Sequence, residues 1–66
     1  MNIYWIRQDI IGYLEQNGNN FTSCRTLADN LHLTYHQVYR AINSVSENLC
    51  LFEKQIGKPL KYRLFQ

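Results

Sequence analysis

The sequence predicts an α+β domain in which three helices are followed by a C-terminal two-stranded β-hairpin. In residues 2–46 apolar side chains recur every three or four positions, which is the period of one helix face. In residues 60–65 the side chains alternate between two sides instead, which is the period of a strand. A chain of 66 residues buries only about 60% of its unfolded surface, so residues 1–66 should form a single domain of modest stability.

The first helix is predicted over residues 2–16. Its apolar face carries Ile3, Ile6, Ile10 and Leu14. Asn2 can cap the start, and Asn17 with Gly18 supplies the stop, because glycine tolerates the left-handed conformation that ends helices. The following polar residues form a turn, and Phe21 should be a short extended anchor that leads into the next helix.

The second helix is short. It should begin at Ser23 or Cys24, with Thr22 or Ser23 as its cap, and end at His32. Its apolar positions, at helical spacing, are Cys24, Leu27, Ala28 and Leu31.

The third helix is predicted to begin at Tyr35 and to end at about Ser46, because Thr34 and Gln37 have the spacing of a capping box. Only residues 32–34 separate it from helix 2, and Leu33 can plug the angle between them. Two short helices joined by so tight a turn match a helix-turn-helix.

The chain should close with a β-hairpin over residues 49–55 and 60–65. Gly57 and Pro59 lie between the two strands and favour a turn. One side of the second strand carries Leu60, Tyr62 and Leu64. The other side carries Lys61, Arg63 and Phe65.

Helix 3 divides into two faces. The apolar stripe consists of Val38, Ala41, Ile42 and Val45, and the opposite face carries His36, Tyr39, Arg40 and Asn43. An ordinary solvated helix surface is one explanation of the second face, but such a surface usually carries Glu and Lys and few aromatic rings. Here it has no acidic residue. Tyrosine, histidine, arginine and asparagine side chains suit base edges and phosphates, which favours nucleic-acid contact.

With these three helices and the closing hairpin, the whole chain resembles the winged helix-turn-helix family, and among its members the small regulators of bacterial pilus operons and of phages. The resemblance implies that helix 3 enters the major groove of double-stranded DNA and that the hairpin, or wing, lies along the backbone or minor groove. The residues expected to read DNA are Tyr35, His36, Tyr39, Arg40 and Asn43. The role would be transcription regulation, or DNA bending by an excisionase-like architectural factor.

Winged helices that bind left-handed DNA are a less similar group. They carry an Asn followed four residues later by a Tyr on helix 3, whereas here Tyr39 precedes Asn43. The exchange removes the ring from the position where it would stack on guanine.

The charges are uneven along the chain, since residues 1–31 sum to −1 and residues 32–66 to +3. A basic C-terminal half indicates a polyanionic partner. The predicted hairpin carries four cations, Lys54, Lys58, Lys61 and Arg63, which we expect to contact phosphates. The alternative is an edge strand that lysines keep soluble.

Trp5 falls on the polar side of helix 1. We expect it either to pack under the hairpin and Phe65 or to be exposed as a contact for a partner. A domain this small could bind DNA as a homodimer or side by side on repeated sites. A second hypothesis is a protein-binding winged helix, such as a phage or plasmid factor that docks on host machinery through Trp5, Tyr4 and Tyr13.

Several classes of function are disfavoured. Cys24 and Cys50 do not have the spacing of zinc ligands, and we expect two reduced thiols, with one disulfide as the alternative. No nucleophile or carboxylate has a suggestive spacing from His32 or His36, so we expect no enzyme, metal site or cofactor. The longest apolar run, residues 49–52, is too short to cross a membrane, and no signal peptide is evident. The expected location is the cytoplasm.

Overall fold

The computed structural model describes residues 2–44 and 51–65. In chain order its elements are α1 (Ile3–Gln16), β1 (Thr22–Ser23), α2 (Cys24–Leu31), α3 (Tyr35–Asn43), β2 (Phe52–Gln55) and β3 (Lys61–Leu64). The strands form one antiparallel sheet in the order β1-β3-β2. The predicted α+β class with three helices is confirmed. The predicted sheet was incomplete, because the hairpin formed by β2 and β3 is joined by a third strand.

α1 begins and ends at the predicted residues. The side chain of Asn2 accepts a hydrogen bond from the backbone N–H of Tyr4 at 2.8 Å, which caps the first turn. At the other end Asn17 is the C-cap, and Gly18 follows with a φ of 73°. Glycine is suited to this left-handed conformation because it has no Cβ to clash with the backbone.

Helices α2 and α3 also begin at predicted caps. Ser23, rather than Thr22, caps α2 and accepts from Thr26 N–H at 3.2 Å. Thr34 and Gln37 form the capping box of α3 through two reciprocal hydrogen bonds of 2.9 and 3.0 Å. His32 is not helical: it is the C-cap of α2, in the left-handed region with a φ of 56°.

α3 is shorter than predicted. It ends at Asn43, and Ser44 is the C-cap with an extended backbone. Asn43 turns its side-chain amide back to the carbonyl of Tyr39 at 3.0 Å, a local bond of the kind that makes asparagine a weak helix former. The predicted helical positions Val45 and Ser46 lie outside the described residues.

The third strand comes from the segment before α2. β1 pairs with β3 through Thr22 opposite Tyr62 and Ser23 opposite Lys61. The hairpin register runs from Phe52 opposite Leu64 to Gln55 opposite Lys61. Both hairpin strands are shorter than the predicted ranges of residues 49–55 and 60–65, and residues 49 and 50 lie outside the described part of the chain.

One apolar core lies between the helices and the sheet. Its buried members are Ile6, Ile10, Leu14, Cys24, Leu27, Ala28, Val38, Ala41, Ile42 and Tyr62. Ile3, Leu31, Leu33 and Leu64 pack against it and are partly buried. The helix faces predicted from periodicity are thus the buried ones, and Leu33 contributes to the core as expected of a residue that plugs the turn.

A buried arginine joins α1 to α3. Arg7 is only 4% exposed, and its Nε donates to the carbonyl oxygen of Ala41 at 3.4 Å. Ala41 lies in the last turn of α3, where carbonyl groups have no partner within the helix and carry partial negative charge. The guanidinium therefore stabilises the C-terminal end of α3.

Within residues 2–44 and 51–65, no helix combines the length and the apolar character needed to cross a membrane.

Candidate nucleic-acid interface

The exposed face of α3 consists of two parallel rows. Tyr35 and Tyr39 are four residues apart and stack with their ring centroids separated by 6.1 Å, and they are 53% and 43% exposed. His36 and Arg40 form the second row, also one helical turn apart and exposed. Side chains four residues apart on a helix lie above one another, which produces both rows.

The tyrosine row faces the hairpin across a cleft of about 220 Å³. Tyr35 and Tyr39 line one side, and Pro59 and Leu60 line the other. Arg25, near the start of α2, is exposed and lies in the wall of the same cleft. The cleft therefore places a cation beside two accessible aromatic rings.

Arg25 is not among the residues that the sequence predicts to contact DNA. It lies on α2, whereas the predicted cations lie on α3 and the hairpin. The available signal was its place directly after the cap Ser23 and Cys24, because backbone N–H groups at a helix start attract anions. A basic residue there would extend the positive surface of α3 toward α2.

The histidine row borders a different depression. His36 and Arg40, with Gln37, line a cleft of about 220 Å³ whose floor is formed by Ile3 and Ile6 of α1. The outer face of α3 is therefore divided, with the tyrosine row toward the hairpin and the histidine row toward α1.

Asn43 and Tyr62 link the end of α3 to the sheet. Burial raises the pKa of the Tyr62 hydroxyl, and a side-chain hydrogen bond with Asn43 acts in the opposite direction. Asn43 also donates from Nδ2 to the carbonyl oxygen of Tyr39. These contacts orient Asn43 from within the protein, and its predicted contact with a base stays a prediction.

The cleft between the tyrosine row and the hairpin also contains a thiol. Cys24 is a buried free cysteine, and burial raises the pKa of its thiol. A thiol held in its neutral form is a weak nucleophile and a poor metal ligand. Cys50 lies outside the described residues.

The four predicted hairpin cations differ in environment. Lys54 and Lys58 are exposed, and Lys58 is in the loop at the tip. Lys61 and Arg63 are half-buried on β3. Lys54 and Lys58 are thus the hairpin cations with the most freedom to reach phosphates.

Arg63 has contacts within the protein. Its Nε donates to Glu53 Oε1 at 3.0 Å, and its guanidinium carbon lies 4.4 Å from the centroid of the Phe21 ring. Glu53 faces Arg63 across β2 and β3, and Phe21 directly precedes β1, so the three form a row across the outer side of the sheet. The carboxylate of Glu53 balances the charge that Arg63 would offer to a phosphate.

No known family model matches this chain, and no curated protein is similar to it in sequence.

Trp5 lines neither of the two clefts that border α3. It is 62% exposed, and its ring meets that of Tyr4 edge-on with a centroid distance of 5.2 Å. The expectation that Trp5 packs under the hairpin and Phe65 is therefore wrong, and Phe65 is itself exposed. A contact with a second protein through Trp5 stays a prediction.

Among the described residues, no three or more histidine, cysteine, aspartate or glutamate side chains come together in a group that could hold a metal ion.

Proposed function

We propose that this chain is a double-stranded-DNA-binding regulator of the winged helix-turn-helix kind, working in the cytoplasm. α3 would enter the major groove, and the hairpin of β2 and β3, the wing, would contact phosphates. The observation that carries the proposal is the outer face of α3, where Tyr35, His36, Tyr39 and Arg40 are exposed together without an acidic residue. Three helices with an antiparallel sheet are compatible with this family.

The chemistry of the two rows supports different contacts. Arg40 can donate two hydrogen bonds to the O6 and N7 atoms of guanine, and tyrosine rings can contact phosphates or thymine methyl groups. Because the rows lie side by side on one helix, both could reach one groove. Arg40 would then discriminate between bases, while the tyrosines set the position of the helix.

Exposed cations on two further elements support phosphate contact. Arg25 lies on α2, and Lys54 and Lys58 lie on the hairpin. Each neutralised phosphate releases counterions and adds about −0.9 to the slope of log K against log salt concentration. Three such contacts correspond to a slope of about −3.

The test is an electrophoretic mobility series on duplex DNA at several salt concentrations, with selection of bound sequences from a random duplex pool. We expect binding that weakens with salt at the stated slope and a pool that converges on a short motif. Gln16→Ala is the control, because Gln16 is exposed at the end of α1 outside both clefts that border α3. Affinity weaker than millimolar, together with no enriched sequence, would refute the proposal.

The exposure of Trp5 and Tyr4 favours a second candidate, a protein-binding factor whose contact surface is α1. Aromatic side chains commonly anchor protein interfaces. In that case the basic hairpin would only keep the domain soluble. A partner that is captured by the wild-type chain and by Arg40→Ala, but lost with Trp5→Ala, would favour this candidate over DNA binding.

A further inference from the structure

The hairpin tip presents an apolar side chain to solvent. Ile56 is 79% exposed, the highest value among the large apolar side chains of residues 2–44 and 51–65. The last pair of the hairpin is Gln55 with Lys61, so Ile56 is the first residue of the loop. Pro59 and Leu60 are exposed in the same loop. A solvated turn is usually polar, and this tip combines apolar residues with cations.

We infer that Ile56 is a wedge that enters the minor groove of duplex DNA, partly unstacks one base-pair step and bends the axis of the duplex. The inference rests on the proposed function, because it describes how the wing of a DNA-binding domain meets its duplex. Apolar side chains inserted between base pairs are known to kink DNA by about 20 to 90°.

The charges around Ile56 favour DNA as the occupant. Lys54 precedes it by two residues and Lys58 follows it by two, and both are exposed. Residues 54–65 contain no acidic side chain. An apolar tip between two cations is complementary to a base-pair step whose apolar faces become accessible on unstacking and whose two flanking backbones carry phosphates.

Dimensions favour insertion of a side chain rather than of the whole hairpin. Paired strands lie about 4.8 Å apart before their side chains are added. The minor groove of B-form DNA is only about 6 Å wide. The body of the hairpin cannot enter such a groove, whereas a single isoleucine can. Unstacking at the inserted side chain opens the groove and bends the duplex away from the protein.

The test measures bending separately from binding. A duplex of about 30 base pairs containing a TA step, which is easily kinked, carries a donor and an acceptor dye at its two ends. A second duplex carries 2-aminopurine in place of the adenine of that step. We expect the wild-type chain to raise energy transfer and to increase 2-aminopurine fluorescence several-fold.

Three variants isolate the wedge. Ile56→Ser should keep affinity within about tenfold of wild type, because phosphate contacts supply most of the binding, yet lose both optical changes. Ile56→Leu should retain them, since it stays apolar. Phe65→Ser is the matched control: Phe65 is another exposed apolar residue, outside the tip loop, and its replacement should leave bending unchanged. Ile56 is too exposed for its replacement to disturb folding.

The outcomes separate the two proposals. Tight binding of the duplex without bending, or equal bending by wild type and Ile56→Ser, would overturn the wedge and leave the proposed function standing. Absence of duplex binding by the wild-type chain would overturn both. Binding to vesicles of anionic lipid that is lost with Ile56→Ser, without any effect on DNA bending, would show that the tip inserts into a membrane and would refute the wedge.

Discussion

The side-chain amide of Asn19 forms two hydrogen bonds with the backbone of Leu64. Its Oδ1 accepts from the N–H of Leu64 at 2.7 Å, and its Nδ2 donates to the carbonyl oxygen of Leu64 at 3.0 Å. β1 is only two residues long and pairs only with Lys61 and Tyr62 of β3. The Asn19 amide therefore bonds β3 where a longer β1 would have continued the pairing. Asn19 has a left-handed φ of 53°, which asparagine tolerates better than most residues.

We expect Asn19→Ala to lower the free energy of unfolding by about 3 kcal/mol. Two net hydrogen bonds contribute about 1 kcal/mol each, and alanine in the left-handed region costs about 1 kcal/mol more. Asn19→Gly removes the same bonds without the steric term, so its loss should be about 2 kcal/mol. Urea unfolding measures both. A loss below about 0.5 kcal/mol in the glycine variant would mean that the amide does not stabilise the sheet.

His32→Gly should stabilise the domain by about 0.5 to 1 kcal/mol. His32 is the C-cap of α2 in the left-handed region, where a Cβ is unfavourable and glycine is preferred. The matched control is His36→Gly within α3, which should destabilise by about 1 kcal/mol because glycine is a poor helix former. Thermal unfolding of the two variants should therefore shift in opposite directions, and a decrease in both would contradict the prediction.

Two buried groups predict a loss of stability at high pH. Burial raises the pKa of the Cys24 thiol, and burial raises the pKa of Tyr62 against the opposing hydrogen bond from Asn43. The folded state then holds these protons more tightly than the unfolded state, so their contribution is complete below the unfolded pKa and is lost as the pH rises through the folded pKa. Unfolded thiols and phenols titrate near about 8.5 and 10, so stability should fall from about pH 8.5 upward.

Variants can assign this pH dependence to each buried group. The quantity to compare is the slope of the free energy of unfolding against pH, and not the free energy itself. Cys24→Ala should flatten the curve above about pH 8.5, and Tyr62→Phe should flatten it above about pH 10. Tyr4→Phe, on the exposed side of α1, is the control for replacing a tyrosine. Urea midpoints measured across the alkaline range test the prediction, which would be wrong if neither core variant changed the slope.

Arg40→Ala and Lys58→Ala should affect DNA binding differently. Loss of the Arg40 guanidinium should cost about 1 to 3 kcal/mol of binding free energy and relax the preference at one base pair. Loss of Lys58 should weaken binding to all sequences alike and reduce the salt slope by about 1. Competition experiments with single-base variants of the selected site distinguish the two. Equal and sequence-independent losses would mean that α3 does not read bases.

Features that depend on neighbouring residues in the chain were predictable. Asn2, and Thr34 with Gln37, cap helices through bonds that span two or three residues. The buried faces of the helices followed from the helical period for the same reason. The apolar stripe predicts a longer α3 than the structure has, because helical periodicity does not report a local competitor such as the bond from Asn43 to Tyr39.

Features that depend on distant residues were not predictable. β1 has two residues, too few to show a strand period, and it is a strand only because β3 pairs with it. Arg63 meets Glu53 on β2 and Phe21 just before β1, residues distant from it in the sequence, and its predicted contact with a phosphate stays a prediction. Arg25 joins the tyrosine row only across a cleft between two helices and the hairpin, and its place near the start of α2 does not by itself indicate that cleft.

By itself the sequence determined the class of the fold, the positions of the helices and the separation of α3 into a core face and an outer face. Only the tertiary structure decided which side chains of the candidate site remain accessible. Periodicity reports the side of an element to which a residue points, since it arises from local backbone geometry. Accessibility depends on what the folded chain places beside that residue, as it places Glu53 beside Arg63 and leaves most of Ile56 exposed to solvent.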